Sequence, residues 1–359
     1  MAGVSRQALS AVESGLSDPS LRVALAVGRA LGMTVEELFG SARPAPHVVA
    51  RPVAPLAGAG ARVTLASMGD GLVALPLSGA MAGRAGFLPA AGLAAGAGPA
   101  GGGPDAGVQV RLIAPPRPTL VVAGCDPALP LLENPLGLLD PAVAFSWWPC
   151  PSREALELAA AGLVHAAGAH LRGRAGEYNI GPAAELLAEG GEVVGFCSWR
   201  EGLVLRPELA DGVDGIGDVA RRGLRLVNRE PGAEARTLLD RELAGLGIET
   251  GQLPGYGTQV GGHLQVAAAI AAGLADAGIA SEPAALAYGL AFVPLAGEHF
   301  DLVIPAGQAE SREVQGLRKV LSSRWLLDQV ASLPGYDAAR CGEHIATLPP
   351  ASPDGQPAG

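Results

Sequence analysis

Thr119-Leu120-Val121-Val122-Ala123-Gly124-Cys125-Asp126 is the stretch on which the fold turns. The run 119–123 reads as an apolar, buried strand, and Gly124 closes it. Cys125 and Asp126 then fall just past its carboxyl end. In open α/β sheets that is the usual position of a ligand crevice.

Working outward, strands and helices alternate. Strands are predicted at 142–147, 163–167, 192–199, 224–228, 291–295 and 301–304. Helices are predicted at 152–161, 182–188, 233–246 and 264–274, with a shorter segment at 285–288 and helical periodicity over 310–331. This alternation predicts an α/β fold with mainly parallel sheets. The segment 346–359 reads as a disordered tail. On the amino-terminal side, 41–56 (SARPAPHVVARPVAPL) reads as a Pro/Ala linker. A hairpin is expected from 62–66 and 72–75 around Gly69-Asp70-Gly71, with a further strand at 108–113. Between them lies AAGLAAGAGPAGGGPDAG (90–107), a low-complexity loop expected to be mobile. Residues 44–117 thus read as a linker plus a small β-rich module that carries no legible chemistry.

Composition narrows the function classes. The chain has 359 residues, 49% of them hydrophobic and 17% charged, so two or three domains with sizeable cores are expected. A net charge of −10 argues against general polyanion binding. No basic segment leads into an apolar one at the start, and no long uninterrupted apolar run exists. Neither a signal peptide nor a membrane span is expected. Cys125, Cys150, Cys197 and Cys341 form no CxxC pair, and the six histidines form no HExxH. A reduced, cytoplasmic setting is the simplest reading, with no metal site and no cofactor expected. No nucleophile–base constellation is visible, so no enzymatic activity is expected.

The amino terminus, Gly3-Val4-Ser5-Arg6-Gln7-Ala8-Leu9-Ser10-Ala11-Val12-Glu13-Ser14-Gly15, carries a different signal. Ser5 is placed to cap a helix whose first turn offers Arg6 and Gln7, side chains able to read guanine and adenine edges. Gly15 is placed to end it. Ser20 can cap a second helix with Leu21, Ala24, Leu25, Gly28 and Leu31 on one face, and Thr34 and Glu37 have capping-box spacing. This segment resembles a Cro/C1-type (XRE) helix-turn-helix domain that begins at its recognition helix. The resemblance implies DNA binding by a homodimer through Ser5, Arg6, Gln7 and Ser10. Residues 1–43 hold four Arg and four acidic residues, which is no basic footprint. The absence of two preceding helices leads to the expectation that the native gene product begins upstream of Met1.

Residues 118–345 resemble the periplasmic-binding-protein-like domain often fused to helix-turn-helix regulators and related to molybdate- and molybdopterin-associated proteins. The resemblance rests on Ala123-Gly124-Cys125-Asp126-Pro127, Ser152-Arg153-Glu154, Gly168-Ala169-His170-Leu171 with Tyr178-Asn179, Val227-Asn228-Arg229 with Arg236, and Gly262-His263-Leu264. It implies a two-lobed, type II clamp with hinge crossings near 197–205 and 291–304 and a ligand between the lobes. Helix N-termini facing such a cleft favour an anion. Cys125, Asp126, Ser152, Arg153, Arg229, Arg236 and His263 are the expected ligand contacts, with Arg229 and Arg236 as a guanidinium pair. His170 and Tyr178-Asn179 read as loop-stabilising, and Trp147, Trp148 and Trp199 as core. Glu298-His299 stands alone. Relatives often have a Gly-Ser-Gly-Thr-Arg loop where this chain has Gly232-Ala233-Glu234-Ala235-Arg236, which lacks the hydroxyls. The implied function is a one-component transcription regulator sensing molybdate, tungstate or, preferably, a molybdopterin-type anion. The alternative is a protein of molybdenum-cofactor biosynthesis or transport without DNA binding.

Overall fold

The computed structural model of the chain describes residues 5–13, 18–39, 46–69, 71–96, 107–173 and 176–351. Three helices come first: α1 (Arg6–Glu13), α2 (Leu21–Leu31) and α3 (Val35–Phe39). Ser20 caps α2, its Oγ accepting from the Val23 amide at 3.4 Å. Gly32, at φ 68°, ends it. Gly28 lets α3 approach, since a Cβ there would lie 2.7 Å from the Met33 carbonyl oxygen. Gly15 and the side chains of Arg6, Gln7 and Glu37 lie outside the described residues.

Five strands then close into a barrel in the order β1-β3-β2-β4-β5. They are β1 (His47–Pro52), β2 (Arg62–Met68), β3 (Gly71–Pro76), β4 (Gly92–Ala94) and β5 (Val108–Leu112). The expected hairpin is β2–β3, paired from Val63↔Pro76 to Met68↔Gly71. The expected linker is in part structural, because its residues 47–52 form β1. The prolines flanking this strand hid it, but Pro52 sits at the strand end, where its missing N–H costs no ladder bond. Val63, Leu65, Ala74, Val108 and Val110 fill the barrel. Alternate residues Ala66, Met68, Val73 and Leu75 face outward and pack on the next domain. The Arg51 guanidinium locks the contact, donating to the carbonyls of Ala161 at 3.0 Å and Gly162 at 2.7 Å. Arg51→Ala is therefore expected to lose about 1–3 kcal/mol of stability. Chemical denaturation of the two proteins would check this.

The large domain is built on one nine-stranded sheet, ordered β11-β10-β12-β9-β13-β8-β6-β7, with β14 also paired to β9. The strands are β6 (Thr119–Ala123), β7 (Ala144–Trp148), β8 (Ala166–Ala169), β9 (Gly191–Leu205), β10 (Leu226–Arg229), β11 (Gln259–Val260), β12 (Ala277–Ser281), β13 (Ala291–Pro305) and β14 (His344–Leu348). β9 and β13 run antiparallel from Ala291↔Leu205 to Pro305↔Gly191 and span both lobes. At one end β13 carries β8, beyond which lie β6 and β7 in parallel. At the other end β9 carries β12, followed by β10 and β11. The architecture is therefore the expected two-lobed α/β clamp, with two crossings where they were expected, but its sheet is mixed and not mainly parallel, because the crossing strands β9 and β13 pair antiparallel with each other and with β12, β8 and β14.

Both faces of each half-sheet are covered, which explains the unbroken apolar runs. In lobe one Val121 and Ala123 face the helix Ser152–Ala160, while Leu120 and Val122 face Leu317 and Leu326 of two carboxyl-terminal helices. In lobe two Leu203 and Leu205 pack on Leu238 and Leu239, and Val204 packs on Val266 and Ile270. Several boundaries differ from expectation. The strand expected at 192–199 runs on to Leu205, and residues 92–94 of the expected 90–107 loop form β4. Segments 291–295 and 301–304 belong to a single 15-residue strand, because the intervening polar residues sit at the lobe crossing. Residues 346–348 are not tail but part of β14, held on β9 by Thr347↔Glu192 and Leu348↔Gly191.

Candidate functional site

The lobe junction collects polar side chains from both lobes and both crossing strands. Cys125 follows β6, and His170 follows β8. Trp199 and Glu201 stand on β9, and Glu298 stands on β13. Arg229 ends β10, His263 begins the helix His263–Ala271, and Ser281 ends β12. All of them are buried. On β9 the alternation is direct: Arg200 points to solvent while Trp199, Glu201 and Leu203 point in.

Two histidines flank the Cys125 thiol. His263 Nε2 lies 3.8 Å from Cys125 Sγ. His263 Nδ1 accepts from the Ser281 amide at 3.2 Å and lies 3.8 Å from Glu201 Oε1. His170 Nδ1 lies 3.4 Å from Glu298 Oε2. The Trp199 ring edges onto both imidazoles, at centroid distances of 5.0 and 5.3 Å. Asp126 holds that indole, accepting from Trp199 Nε1 at 2.8 Å, from Tyr336 Oη at 3.0 Å and from the Ala128 amide at 2.7 Å. Arg229 donates through Nε and Nη2 to Glu230 at 2.8 and 2.9 Å. Its Nη1, the Ser281 hydroxyl and both Glu201 carboxyl oxygens have no hydrogen-bond partner among the described residues.

Burial drives the protonation states. It pushes His263 well below the usual imidazole range, with Arg229 and His170 adding repulsion. Burial also opposes charge on His170, but Cys125, Glu298 and Glu201 outweigh it and raise that histidine. Burial raises Glu201 to about 8 and lifts Asp126 above the ordinary carboxyl range. With Nδ1 of neutral His263 accepting from an amide, its proton sits on Nε2 and points at Cys125. The donor atoms of Cys125, His170 and His263 lie within 4.8 Å of one another, as do those of His170, Glu201 and Glu298. Either group could hold a metal ion.

The family model for the PBP superfamily domain matches residues 136–322. The chain belongs to the PBP superfamily domain family. A helix-turn-helix model matches residues 1–38. An uncharacterized protein, YvgK, of Bacillus subtilis (strain 168) is 31% identical over 146 residues, 41% of this chain and 47% of its own length. The chain thus spans about half of that relative. An uncharacterized protein in the ferredoxin 2Fe-2S gene 5′ region of Clostridium pasteurianum is 31% identical over 112 residues, 31% of this chain and 99% of the relative. Among solved structures, PhnD1 from Prochlorococcus marinus (MIT 9301) in complex with methylphosphonate aligns with TM-score 0.43 at 13% identity, over 63% of this chain and 95% of that one. No helix among the described residues is long and apolar enough to cross a membrane.

Within the PBP domain, the residues expected to meet ligand divide into three sets. Cys125, Asp126, Arg229 and His263 come together at the junction. Ser152 supports it, its Oγ accepting from the His170 amide at 3.2 Å. Arg153 instead lines an outer groove of about 380 Å³ between the lobes, with Arg172, Glu177 and Glu234. Arg236 does not pair with Arg229 around a common point. Its Nη2 donates to Tyr256 Oη at 3.0 Å and its Nη1 to the Arg229 carbonyl at 3.3 Å. Asn179 stabilises its loop, accepting from the Leu171 amide at 2.7 Å. His170, Glu201 and Glu298 are junction residues that sequence reasoning did not select. The signal for Glu201 was an acid at an inward position of an otherwise apolar strand. Of the residues expected at DNA, Ser5 and Ser10 are exposed near and on α1.

Proposed function

We propose that the chain is a one-component transcription regulator. Its clamp closes on a small ligand at the lobe junction, and closure alters DNA binding by a homodimer through Ser5, Arg6, Gln7 and Ser10. The observation that carries this reading is the presence, on one chain, of a helix-turn-helix segment and a PBP domain whose two lobes converge on one buried polar cluster. A physical route from cleft to barrel supports it. Trp147 Nε1 holds the Gly124 carbonyl at 2.7 Å, beside Cys125, and the Arg84 guanidinium caps the same indole at 4.7 Å. A shift of the 124–125 turn on ligand binding would thus be felt next to the barrel.

An anionic group of the ligand would be received by Arg229 Nη1, and by Arg153 and Arg172 in the outer groove. Bare molybdate or tungstate would sit beside Glu298, whose charge opposes it by Coulomb repulsion at low dielectric. A larger, pterin-type anion can keep its charge in the outer groove, so this class is preferred. Calorimetric titration with molybdate, tungstate and a phosphorylated pterin, followed by operator binding with and without ligand, tests the reading. An effective ligand should change operator affinity at least tenfold, and Arg229→Met should weaken its binding at least tenfold. If no anion binds, the anion class is wrong. If a bound ligand leaves DNA affinity unchanged, the regulator reading is wrong.

A further inference from the structure

The junction gathers more metal-binding and acidic groups than its own contacts use. Cys125, Glu201, Glu230 and Glu298 converge there, and the buried cation Arg229 is already paired with Glu230. Both Glu201 oxygens lack a hydrogen-bond partner among the described residues. Buried carboxylates persist where something offsets their desolvation, and a metal cation does so most strongly.

We propose that Cys125, His170 and His263 hold a transition-metal ion at the lobe junction, with Glu298 and Glu201 behind the two histidines. The inference rests on reading the junction as the clamp's ligand site, and it names an ion as one component of that ligand. The three donor atoms lie within 4.8 Å of one another, and Cys125 Sγ to His263 Nε2 is 3.8 Å. Small side-chain rotations bring them to the ~3.3–3.6 Å edges expected for a tetrahedral ion with bonds of ~2.3 Å to sulfur and ~2.0 Å to nitrogen. Each histidine also has a buried carboxylate beside the nitrogen that would not bind metal. Glu298 lies 3.4 Å from His170 Nδ1, and Glu201 lies 3.8 Å from His263 Nδ1. Carboxylates so placed fix the ring tautomer and strengthen the ligand. On metal binding Cys125 releases its thiol proton and His170 its extra ring proton to solvent, while the His263 proton moves from Nε2 to Nδ1, which donates a hydrogen bond to Glu201 as the Ser281 amide lets go of the ring. One thiolate with two imidazoles selects zinc, cobalt, nickel or copper(I) over magnesium and calcium. Cys125 and His170 belong to lobe one and His263 to lobe two, so the ion ties the lobes together.

The test is cobalt(II) and zinc(II) titration of the chelator-treated full chain, read by absorption and calorimetry. The expected result is one ion per chain with a thiolate-to-cobalt charge-transfer band. Cys125→Ser should lose that band, and His170→Gln and His263→Gln should each weaken binding at least tenfold. Glu201→Gln keeps all three ligands and the side-chain shape and replaces only the carboxyl behind His263, so it separates loss of that carboxyl from loss of a ligand. It should keep the band and weaken binding ten- to a hundredfold. Absence of the band in the wild-type chain, or equal metal affinity in wild type and Glu201→Gln, would overturn the proposal. So would alkylation of Cys125 by iodoacetamide that excess zinc does not slow. None of these readouts involves DNA or an anion, so failure here is separable from failure of the regulator reading.

Discussion

His165→Asn is expected to remove about 3 kcal/mol of acid sensitivity from the folded chain. His165 lies between the helix Ser152–Ala160 and β8, with its ring inside lobe one. Its Nδ1 accepts from the Val121 amide at 3.0 Å, and Nε2 is 4.0 Å from Glu313 Oε2. Burial lowers its pKa from 6.5 to about 4. The sign follows from which state binds the proton. Between pH 6.5 and about 4 the unfolded chain takes up a proton that the folded chain refuses. Stability from this residue is therefore complete above pH 6.5 and is lost as pH falls towards 4. Asparagine offers the Val121 amide an acceptor and does not titrate. Denaturation of both proteins at pH 7 and pH 4 gives the comparison. A wild-type deficit that is the same at both pH values would show that His165 is not the titrating group.

The second large effect is a gain. Glu201→Met is expected to stabilise the chelator-treated protein by about 1–3 kcal/mol, because it removes a buried carboxyl whose oxygens have no hydrogen-bond partner among the described residues. Methionine is flexible enough to fill the same space between Trp199 and Leu203. The same variant should bind junction ligands more weakly, since function and stability pull in opposite directions at such a residue. Thermal melts with and without zinc would check both halves. A loss of stability on replacement would mean that Glu201 is a structural member of the junction and not a group held ready for a ligand.

The energetic logic of the junction links these expectations. Some buried polar groups are satisfied locally, as Asp126 is by Trp199, Tyr336 and the Ala128 amide, while single buried atoms of Trp148, Glu177, Glu192, Arg206 and Arg318 lack a hydrogen-bond partner among the described residues at scattered places. At the junction, Glu201, Ser281 and Arg229 Nη1 lack one together. Unsatisfied buried groups are costly, and the gathering of three such residues where two lobes meet favours that place as the one that receives something.

The sequence by itself determined the scaffold. Continuous apolar runs such as 119–123 specify strands covered on both faces, and their alternation with amphipathic helices leaves a doubly covered α/β sheet as the solution. The capping signal at Ser20 was likewise local, so it was legible. Cys125, Asp126 and His263 could be placed near a crevice because strand ends and helix starts face it by construction. Other features were decided only by the tertiary structure. His47–Pro52 became a strand because a barrel edge was there to pair with it, against its proline-rich context. Residues 346–348 became a strand because β9 offered a free edge. The pairing of Arg236 with Tyr256 instead of Arg229 depended on which neighbour was nearer after folding. The group Cys125, His170 and His263 is separated by 45 and 93 positions and has no spacing motif. Local sequence encodes backbone periodicity, whereas convergence of distant donors arises only when two lobes close on shared strands.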